Sequence, residues 1–284
     1  SSESHLLKIP NIKSLVPLGG NVALLNPGNL IDIEVENLRK YYRLKEDEKI
    51  QSAKAHLKFL AQDLLESMKQ KRGDMLFLKE KDIAEAKKNI QTVLDEKFWH
   101  DFDQNYENKL EFIGNKLAPM IFDDNMLFFN YLGTDPQKFK AEFPQFEIVK
   151  GQMIPEGKKG FLIHDYIYEN FVKHRIARRL DAMKKEMDTN HLRIDNTKSL
   201  QDKVKANKEQ LAEIYLQMHP AKITELALDL QSFLQSKETE IRPLLAEYLD
   251  LNDENFQKRY DYFYSKIAPH IQLYKINVGD VVPL

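Results

Sequence analysis

MLFFNYL, residues 126–132, is a short run of aromatic and aliphatic side chains and gives the clearest β-strand signal in the chain. It is followed by Thr134-Asp135-Pro136, in which Asp135 can cap a helix and Pro136 suits the first helical position. Proline fixes φ there and needs no partner for an amide hydrogen. Residues 137–143 are therefore predicted to form a short helix. This combination predicts an α+β fold.

Two further apolar runs follow within a short distance. Phe146–Val149 and Phe161–Ile163 have the length of strands, and the residues between them include Gly151 and a Pro-Glu-Gly sequence that favour turns. Residues 119–165 are therefore predicted to be a small mixed β module.

The segment before this module has the pattern of long amphipathic helices. Apolar residues recur at spacings of three and four over residues 50–68 and again over residues 83–98. These spacings predict one long helix from residue 34 to about residue 70 and a second helix after it. Two such helices can pack as an antiparallel hairpin, so residues 34–118 are predicted to be a helical hairpin region.

The segment after the module, residues 166–270, is predicted to be a helical subdomain. Helical spacing runs without a break over residues 163–187. Apolar stripes at 200–218 and 223–234 are separated by Pro220 and predict two packed helices. With these segments the fold class is α+β but predominantly α-helical, with long helical insertions around the β module.

Both ends of the chain are predicted to be extended. Asn252 and Asp253 can cap a last helix that ends near residue 269. After it, residues 271–284 are predicted to be a C-terminal strand that completes the β module. Residues 1–33 are predicted to be an extended N-terminal segment.

The longest uncharged run, Ser14–Ile31, has 18 residues, which is close to the length of a membrane-spanning helix. It contains two prolines and three glycines, which would leave backbone groups unpaired in lipid, so it is predicted to be irregular or extended. The start, Ser1-Ser2-Glu3-Ser4, has neither the basic nor the apolar part of a signal peptide, which suggests a fragment cut from a longer protein.

The composition excludes several classes of site. The 42 Lys and Arg residues nearly balance the 44 Asp and Glu residues, so no overall electrostatic field draws the chain to nucleic acid. Hydrophobic residues make up 42% and charged residues 30%, which favours a globular, helix-rich protein. Because cysteine is absent, disulfides, thiolate metal sites and a cysteine nucleophile are excluded.

No pattern of catalytic, cofactor-binding or metal-binding residues stands out. Gly151–Lys159 is similar to a phosphate-binding loop, but five residues separate its glycines where four are needed, and Lys159 replaces Ser or Thr. Histidines occur in Trp99–Asp103, at His164 and at His174, yet none belongs to an HxxxH or HExxH pair. The chain is therefore predicted to have no metal site, to need no cofactor and not to be an enzyme.

One basic cluster is a candidate contact site. Five cationic or titratable side chains fall within seven residues: Lys173, His174, Arg175, Arg178 and Arg179. Such a cluster can bind a partner protein, phosphate or lipid headgroups. The alternative interpretation is a solvated helix face that pairs with nearby carboxylates.

Four short motifs, taken in order, resemble the extracytoplasmic domain of FtsX/MacB/LolE-like ABC-transporter permeases. They are FFNYLGTDP (128–136), IVKG (148–151), GFLI (160–163) and NVGDVVPL (277–284). In that family a strand ends in a Gly-x-Asp-Pro-like turn, a strand ending in glycine follows, and a further strand leads into a helix. The resemblance marks these structural positions: Gly133, Asp135, Pro136, Gly151, Gly279 and Asp280. It covers a minority of the chain, and the long helical segments between the motifs depart from the family pattern.

The resemblance implies a non-catalytic domain held between two membrane helices of a permease. It would lie on the periplasmic side of the bacterial inner membrane and remain tethered to that membrane. A separate cytoplasmic ATPase subunit would hydrolyse ATP, and the domain would bind a lipoprotein, a peptide, an adaptor or a cell-wall enzyme and relay the motion. A dimeric assembly is compatible with this role.

Two other functions compete with this interpretation. A free-standing helical scaffold or adaptor would lack flanking hydrophobic segments of about 20 residues in its full-length gene. An enzyme of unrecognised type would need a deep pocket with converging polar groups. The permease hypothesis further predicts that both chain ends lie at the same end of the domain.

Overall fold

The computed structural model describes residues 16, 18–25, 28–69, 80–121 and 127–279. It is 66% helical with a single two-stranded antiparallel sheet among these residues, which confirms the predicted α+β, predominantly helical fold class. No described helix combines the length and the apolar composition needed to cross a bilayer. Both chain ends lie outside the described residues, so the prediction about their position stays untested.

The chain divides into two compact units. The first, here called the β unit, combines three segments that are distant in sequence: 1–27, 126–174 and 274–284. The second, here called the helical unit, combines residues 28–125 and 175–273.

The sheet of the β unit pairs β1 (Gly19–Leu25) with β2 (Leu127–Gly133). The strands are antiparallel, and their register runs from Gly19 opposite Gly133 to Leu25 opposite Leu127. The strand predicted at residues 126–132 is confirmed as β2. Its partner comes from the N-terminal segment, which was expected to be only irregular or extended.

Helix α1 (Pro136–Glu142) follows β2 directly, as predicted. The Asp135 carboxylate accepts hydrogen bonds from the amides of Gln137 (2.9 Å) and Lys138 (3.1 Å), and Pro136 occupies the first turn. The capping interpretation of the Thr-Asp-Pro sequence is therefore confirmed.

Three predicted strands are absent from the described residues. Phe146–Val149 and Phe161–Ile163 form neither strand nor helix, and the described part of 271–284 makes one isolated bridge, from Tyr274 to Lys173. An apolar run indicates only that a residue type suits a strand, whereas a strand also needs a neighbour for its backbone hydrogen bonds. Residues 280–284 lie outside the described residues.

The long helix predicted from residue 34 to about residue 70 is two helices, α2 (Leu30–Leu44) and α3 (Asp47–Lys69). The Asn29 side chain caps α2, which therefore begins earlier than expected. Lys45 ends it in the left-handed region, with φ of 56°, and its amide bonds back to the last turn. The apolar spacing continues across this break, so periodicity alone could not reveal it.

Three more helices complete the N-terminal half of the helical unit: α4 (Glu80–Leu94), α5 (Glu96–His100) and α6 (Tyr106–Lys116). Their apolar faces pack with those of α2 and α3 into one buried cluster. This cluster, here called the N-terminal core, spans residues 31–118 and includes Leu38, Leu57 and Phe102.

The segment with helical spacing over residues 163–187 is not a single helix. It consists of α7 (Asp165–Ile167), a π-helical turn (Tyr168–Val172) and α8 (Arg175–Asn190). Lys173 between them is extended and forms the bridge to Tyr274, so its backbone cannot continue the helix.

The C-terminal half of the helical unit holds α9 (Lys198–Glu209), α10 (Ala212–Tyr215), α11 (Pro220–Leu234), α12 (Ile241–Tyr248) and α13 (Phe256–Tyr262). The helix predicted from the stripe at 223–234 is confirmed as α11, with Pro220 in its first turn. The stripe at 200–218 is buried as expected but is divided between two helices, α9 and α10. Together with α8 these helices bury a second cluster, here called the C-terminal core, over residues 176–268.

The predicted cap of the last helix holds for Asn252 but not for Asp253. Asn252 Oδ1 accepts hydrogen bonds from the amides of Glu254 and Asn255, and the Asn252 carbonyl accepts from the amide of Phe256, in the turn that leads into α13. The Asp253 carboxylate accepts from the amide of Ile194 (2.7 Å). It therefore fixes a distant turn and does not cap a helix.

Candidate functional site

The sheet of the β unit exposes an apolar face. Directly opposed residues of an antiparallel pair point to the same side, and residues two apart along one strand do so as well. Val22 lies opposite Asn130, which stands between Phe128 and Leu132, so these three apolar side chains share one side. Val22 is 61% exposed, Phe128 69% and Leu132 52%. This apolar sheet face, defined by Val22, Phe128 and Leu132, is the first candidate site.

The exposure extends over the rest of the β unit. Among the apolar residues in the described part of the β unit, Val172 alone is buried. All but two of the large apolar side chains that are exposed in the described residues belong to this unit, the exceptions being Leu44 and Leu228. On the other side of the sheet, Tyr131 makes an edge contact with Phe161 at 6.3 Å between ring centroids.

The second candidate site lies within the helical unit, where the two cores meet. Phe59 of α3 packs against the C-terminal core, and Leu216 packs against the N-terminal core. Three ionisable side chains lie together at this seam: Glu34 of α2, His56 of α3 and His219, which directly precedes α11. They are here called the Glu-His-His cluster.

The three side chains of the cluster each present one donor atom to the others, and these atoms lie within 4.8 Å of one another. Glu34 Oε1 is 3.3 Å from His56 Nδ1 and 3.8 Å from His219 Nε2. The two imidazole rings are 4.8 Å apart between centroids. Glu34 and His56 are buried, whereas the His219 side chain is 39% exposed.

The outer nitrogen of each ring contacts a backbone carbonyl. His56 Nε2 is 2.8 Å from the carbonyl oxygen of Leu216. His219 Nδ1 is 3.1 Å from the carbonyl oxygen of Ser52 and 2.8 Å from the hydroxyl of the same residue. A carbonyl only accepts hydrogen bonds, so each of these ring nitrogens carries a proton when it donates.

The electrostatic balance at Glu34 favours the carboxylate. Burial raises the pKa of Glu34, but the neighbouring His56 imidazole, 3.3 Å away, and the Asn37 amide, which donates to Glu34 Oε2 at 3.1 Å, together outweigh it, and the net shift is downward. Oε1 of Glu34 and Nδ1 of His56 are both buried, and neither has a hydrogen bond of good geometry among the described residues. The cluster therefore holds a negative charge beside an unsatisfied ring nitrogen.

A shallow, open depression of about 460 Å³ lies beside the exposed end of the cluster. Its lining combines polar and charged side chains with two apolar ones: Ser52, Gln217, Met218, His219, Ala221, Lys222, Glu225 and His270. His219 thus belongs both to the cluster and to the wall of this depression.

A second polar contact crosses the same seam. Tyr215 of α10 donates to the Asp63 carboxylate of α3 at 3.0 Å, and Arg242 of α12 donates to the Tyr215 hydroxyl. The ring of Tyr215 also packs edge-on against Phe59. These contacts hold α3 against the C-terminal half of the helical unit.

The motif positions named by the permease resemblance lie in the β unit. Gly133 ends β2, and Asp135 and Pro136 start α1. Gly151 and Gly279 have φ of 89° and 97°, which is the left-handed region that favours glycine. Asp280 lies outside the described residues.

The basic cluster is divided between the two units and is mostly buried or half-buried. Lys173 pairs with Glu169 at 3.0 Å in the β unit, while Arg175 pairs with Glu213 at 2.9 Å in the helical unit. His174 is buried and Arg178 is half-buried. Arg179 donates to the buried Asn207, and burial lowers the pKa of its guanidinium. The carboxylate pairs agree with the alternative interpretation, but the cluster is not the solvated face that it assumed, because its side chains are buried or half-buried.

Other sequence candidates remain apart from one another. His100 is exposed, and His164 caps the short helix α7. The loop with Gly151 and Gly157 leads into turns and extended backbone, with no helix directly after it that could bind a phosphate.

The Glu-His-His cluster was missed because its members are far apart in the sequence. One signal was present: His56 lies on the apolar stripe of α3, three residues after Ala53 and four before Leu60, at a position where the pattern expects a buried apolar residue. Comparison with protein-family models, curated proteins and solved structures found no match for this chain.

Proposed function

We propose that this chain is the extracytoplasmic domain of an FtsX/MacB/LolE-like ABC-transporter permease. Its β unit binds an extracytoplasmic protein or lipoprotein cargo, and the domain relays the motion produced by ATP hydrolysis in a cytoplasmic subunit. The observation that carries the proposal is the apolar sheet face, which belongs to the same unit as the family motifs.

The apolar sheet face favours a protein partner on energetic grounds. Full burial of a Val, Leu or Phe side chain contributes about 1.5–3 kcal/mol, so covering Val22, Phe128 and Leu132 would give a partner a substantial gain. Contiguous apolar surface of this kind marks interaction sites in folded proteins. A sheet of two strands is also only marginally stable alone, and a partner that adds a strand to its edge would stabilise it.

The way the β unit is assembled supports the family assignment. The Gly-Thr-Asp-Pro turn joins β2 to α1, and the later motifs meet at Gly151 and Val278. A Cβ atom added to Gly151 would lie 2.6 Å from Val278 Cγ1, so these sequence-distant residues are in close contact. The helical segments 28–125 and 175–273 lie between parts of the β unit in sequence, so the motif-bearing segments form one unit despite these departures from the family pattern.

Long helices suit a mechanical role. Helix α3 has 23 residues, which corresponds to a length of about 35 Å. A packed helix bends little, and small shifts of such elements can be passed on as rigid-body motion. The helical unit therefore has the elements needed to transmit a displacement.

Cysteine labelling can test the location. The 284 residues contain no cysteine, so Val149→Cys in the β unit and Leu228→Cys in the helical unit each introduce one thiol into this domain, with any cysteine elsewhere in the full-length protein replaced by serine. Val149 is 77% exposed and Leu228 is 63% exposed. A membrane-impermeant maleimide is expected to label both variants in intact spheroplasts. Labelling only after lysis would refute an extracytoplasmic location.

Crosslinking can test the partner surface. A photo-crosslinking amino acid at Phe128 in the full-length protein, expressed in its native cells, is expected to give a discrete adduct with an extracytoplasmic protein. The matched control is Leu228, an exposed apolar residue of the helical unit. Equal adducts from both positions would refute a binding role for the apolar sheet face. A full-length gene without flanking apolar segments would instead favour a free-standing adaptor that uses the same face.

A further inference from the structure

We infer that Glu34, His56 and His219 bind one divalent transition-metal ion, of which Zn²⁺ is the best fit. Two imidazoles and one carboxylate form a ligand set that suits Zn²⁺ and leaves a fourth position for water or another ligand. The inference does not rest on the proposed transport role, because it is argued only from the side chains around this cluster in the helical unit.

The hydrogen bonds of the two rings direct their lone pairs to the same place. His56 donates from Nε2 to the Leu216 carbonyl, which leaves Nδ1 of a neutral ring unprotonated and facing Glu34. His219 can donate from Nδ1 to the Ser52 carbonyl, which leaves Nε2 unprotonated and on the side of Glu34. Metal-binding histidines typically donate their outer nitrogen to a carbonyl or carboxylate in this way.

Two buried atoms of the cluster lack the partner that a metal would supply. Glu34 Oε1 and His56 Nδ1 are buried without a hydrogen bond of good geometry among the described residues. With a neutral ring they are also both electron-pair donors that face each other across 3.3 Å. A cation between them would satisfy both atoms and remove their repulsion.

The distances fit a metal site once His219 moves inward. Metal bonds of about 2.0–2.2 Å with tetrahedral geometry place ligand atoms roughly 3.3–3.6 Å apart. The Glu34–His56 separation of 3.3 Å already matches, the Glu34–His219 separation of 3.8 Å is long, and the three ligand atoms together lie within 4.8 Å of one another. His219 is the most exposed of the three and stands in the loop before α11, so its side chain can move inward.

A bound ion would join the two cores of the helical unit. Its ligands come from α2 and α3 on one side of the seam and from the start of α11 on the other. His219 also lines the shallow depression, so it is the ligand closest to solvent. The competing explanation is a proton shared between Glu34 and His56, a buried ion pair in which His219 has no role.

Metal titration separates these explanations. The metal-free chain is titrated with Zn²⁺ by calorimetry, and with Co²⁺ by its visible absorption, which reports the ligand geometry. We expect one ion per chain and at least about tenfold weaker binding by His219→Ala. The matched control is His100→Ala, which removes an exposed histidine outside the cluster and is expected to leave the affinity unchanged.

Two further measurements distinguish the loss of a metal ligand from misfolding of the variant. Glu34→Gln preserves the size of the side chain, and circular dichroism checks that each variant keeps its helices. Zn²⁺ is expected to raise the Tm of the unmodified chain and of His100→Ala, but not that of His219→Ala or Glu34→Gln. Absence of stoichiometric binding by the unmodified chain, or equal affinity in folded His219→Ala, would overturn the inference.

Discussion

The two units of this protein use similar side chains in opposite ways. The helical unit buries its apolar residues in two cores, whereas the described part of the β unit buries Val172 and leaves Phe128, Val149 and Leu132 largely exposed. Residue type therefore does not decide burial here; the number of neighbouring elements does. The helical unit covers most of its own apolar side chains, whereas the described part of the β unit has apolar surface left for contacts beyond itself.

The largest expected difference between the units is the loss of stability when a phenylalanine is replaced by alanine. Phe102→Ala in the helical unit removes a fully buried ring that stacks on Trp99, and it should lower the free energy of unfolding by about 3–5 kcal/mol. Phe128→Ala in the β unit should change it by less than about 0.5 kcal/mol because the ring is exposed. Urea unfolding followed by circular dichroism measures both. Similar losses would show that the β unit is as tightly packed as the helical unit.

A loss of stability of intermediate size is expected when Arg179 of the basic cluster is replaced. Arg179→Ala leaves the fully buried Asn207 without its donor, which should cost about 1–3 kcal/mol. Lys184→Ala on the same helix removes only a pair with Asp188 at the surface and should cost less than about 0.5 kcal/mol. Thermal unfolding compares the two variants. If Arg179→Ala kept full stability but lost binding to anionic lipid vesicles, the contact interpretation of the cluster would be restored.

The smallest expected effect concerns the turns that hold the β unit together. Alanine at Gly151 or Gly157 must adopt a left-handed φ, at roughly 1–2 kcal/mol, but only Gly151 also contacts Val278. Gly151→Ala should therefore speed amide exchange at Lys275, whose N–H bonds the Val172 carbonyl, more than Gly157→Ala does. Equal exchange rates in the two variants would remove the contact as a cause of local stability.

Local chemistry made part of this structure predictable. The cap at Asp135, the strand before it and the stripes of α9–α11 depend on neighbours within a few residues, and the sequence displays those neighbours directly. The left-handed turn at Lys45 was hidden because neither glycine nor proline marks it. The partner of β2 was hidden as well, because β1 lies about 100 residues earlier and pairing depends on long-range folding.

The candidate sites likewise depend on contacts between residues that are far apart in the sequence. Val22 and Phe128 are ordinary strand residues in the sequence, and only the register shows that they share an exposed face. Glu34 and His56 are met by His219, which lies more than 160 residues later in the chain. His56 on an apolar stripe was the one local sign of this site.

The bridge between Lys173 and Tyr274 has a consequence for how such a domain can change in length. It closes a loop that contains the whole segment 175–273 at a single pair of backbone residues. The entropy lost on closing a loop grows only logarithmically, so doubling its length adds about 0.6 kcal/mol. A change in the length of the segment between Lys173 and Tyr274 therefore adds little to the entropic cost of closing this bridge.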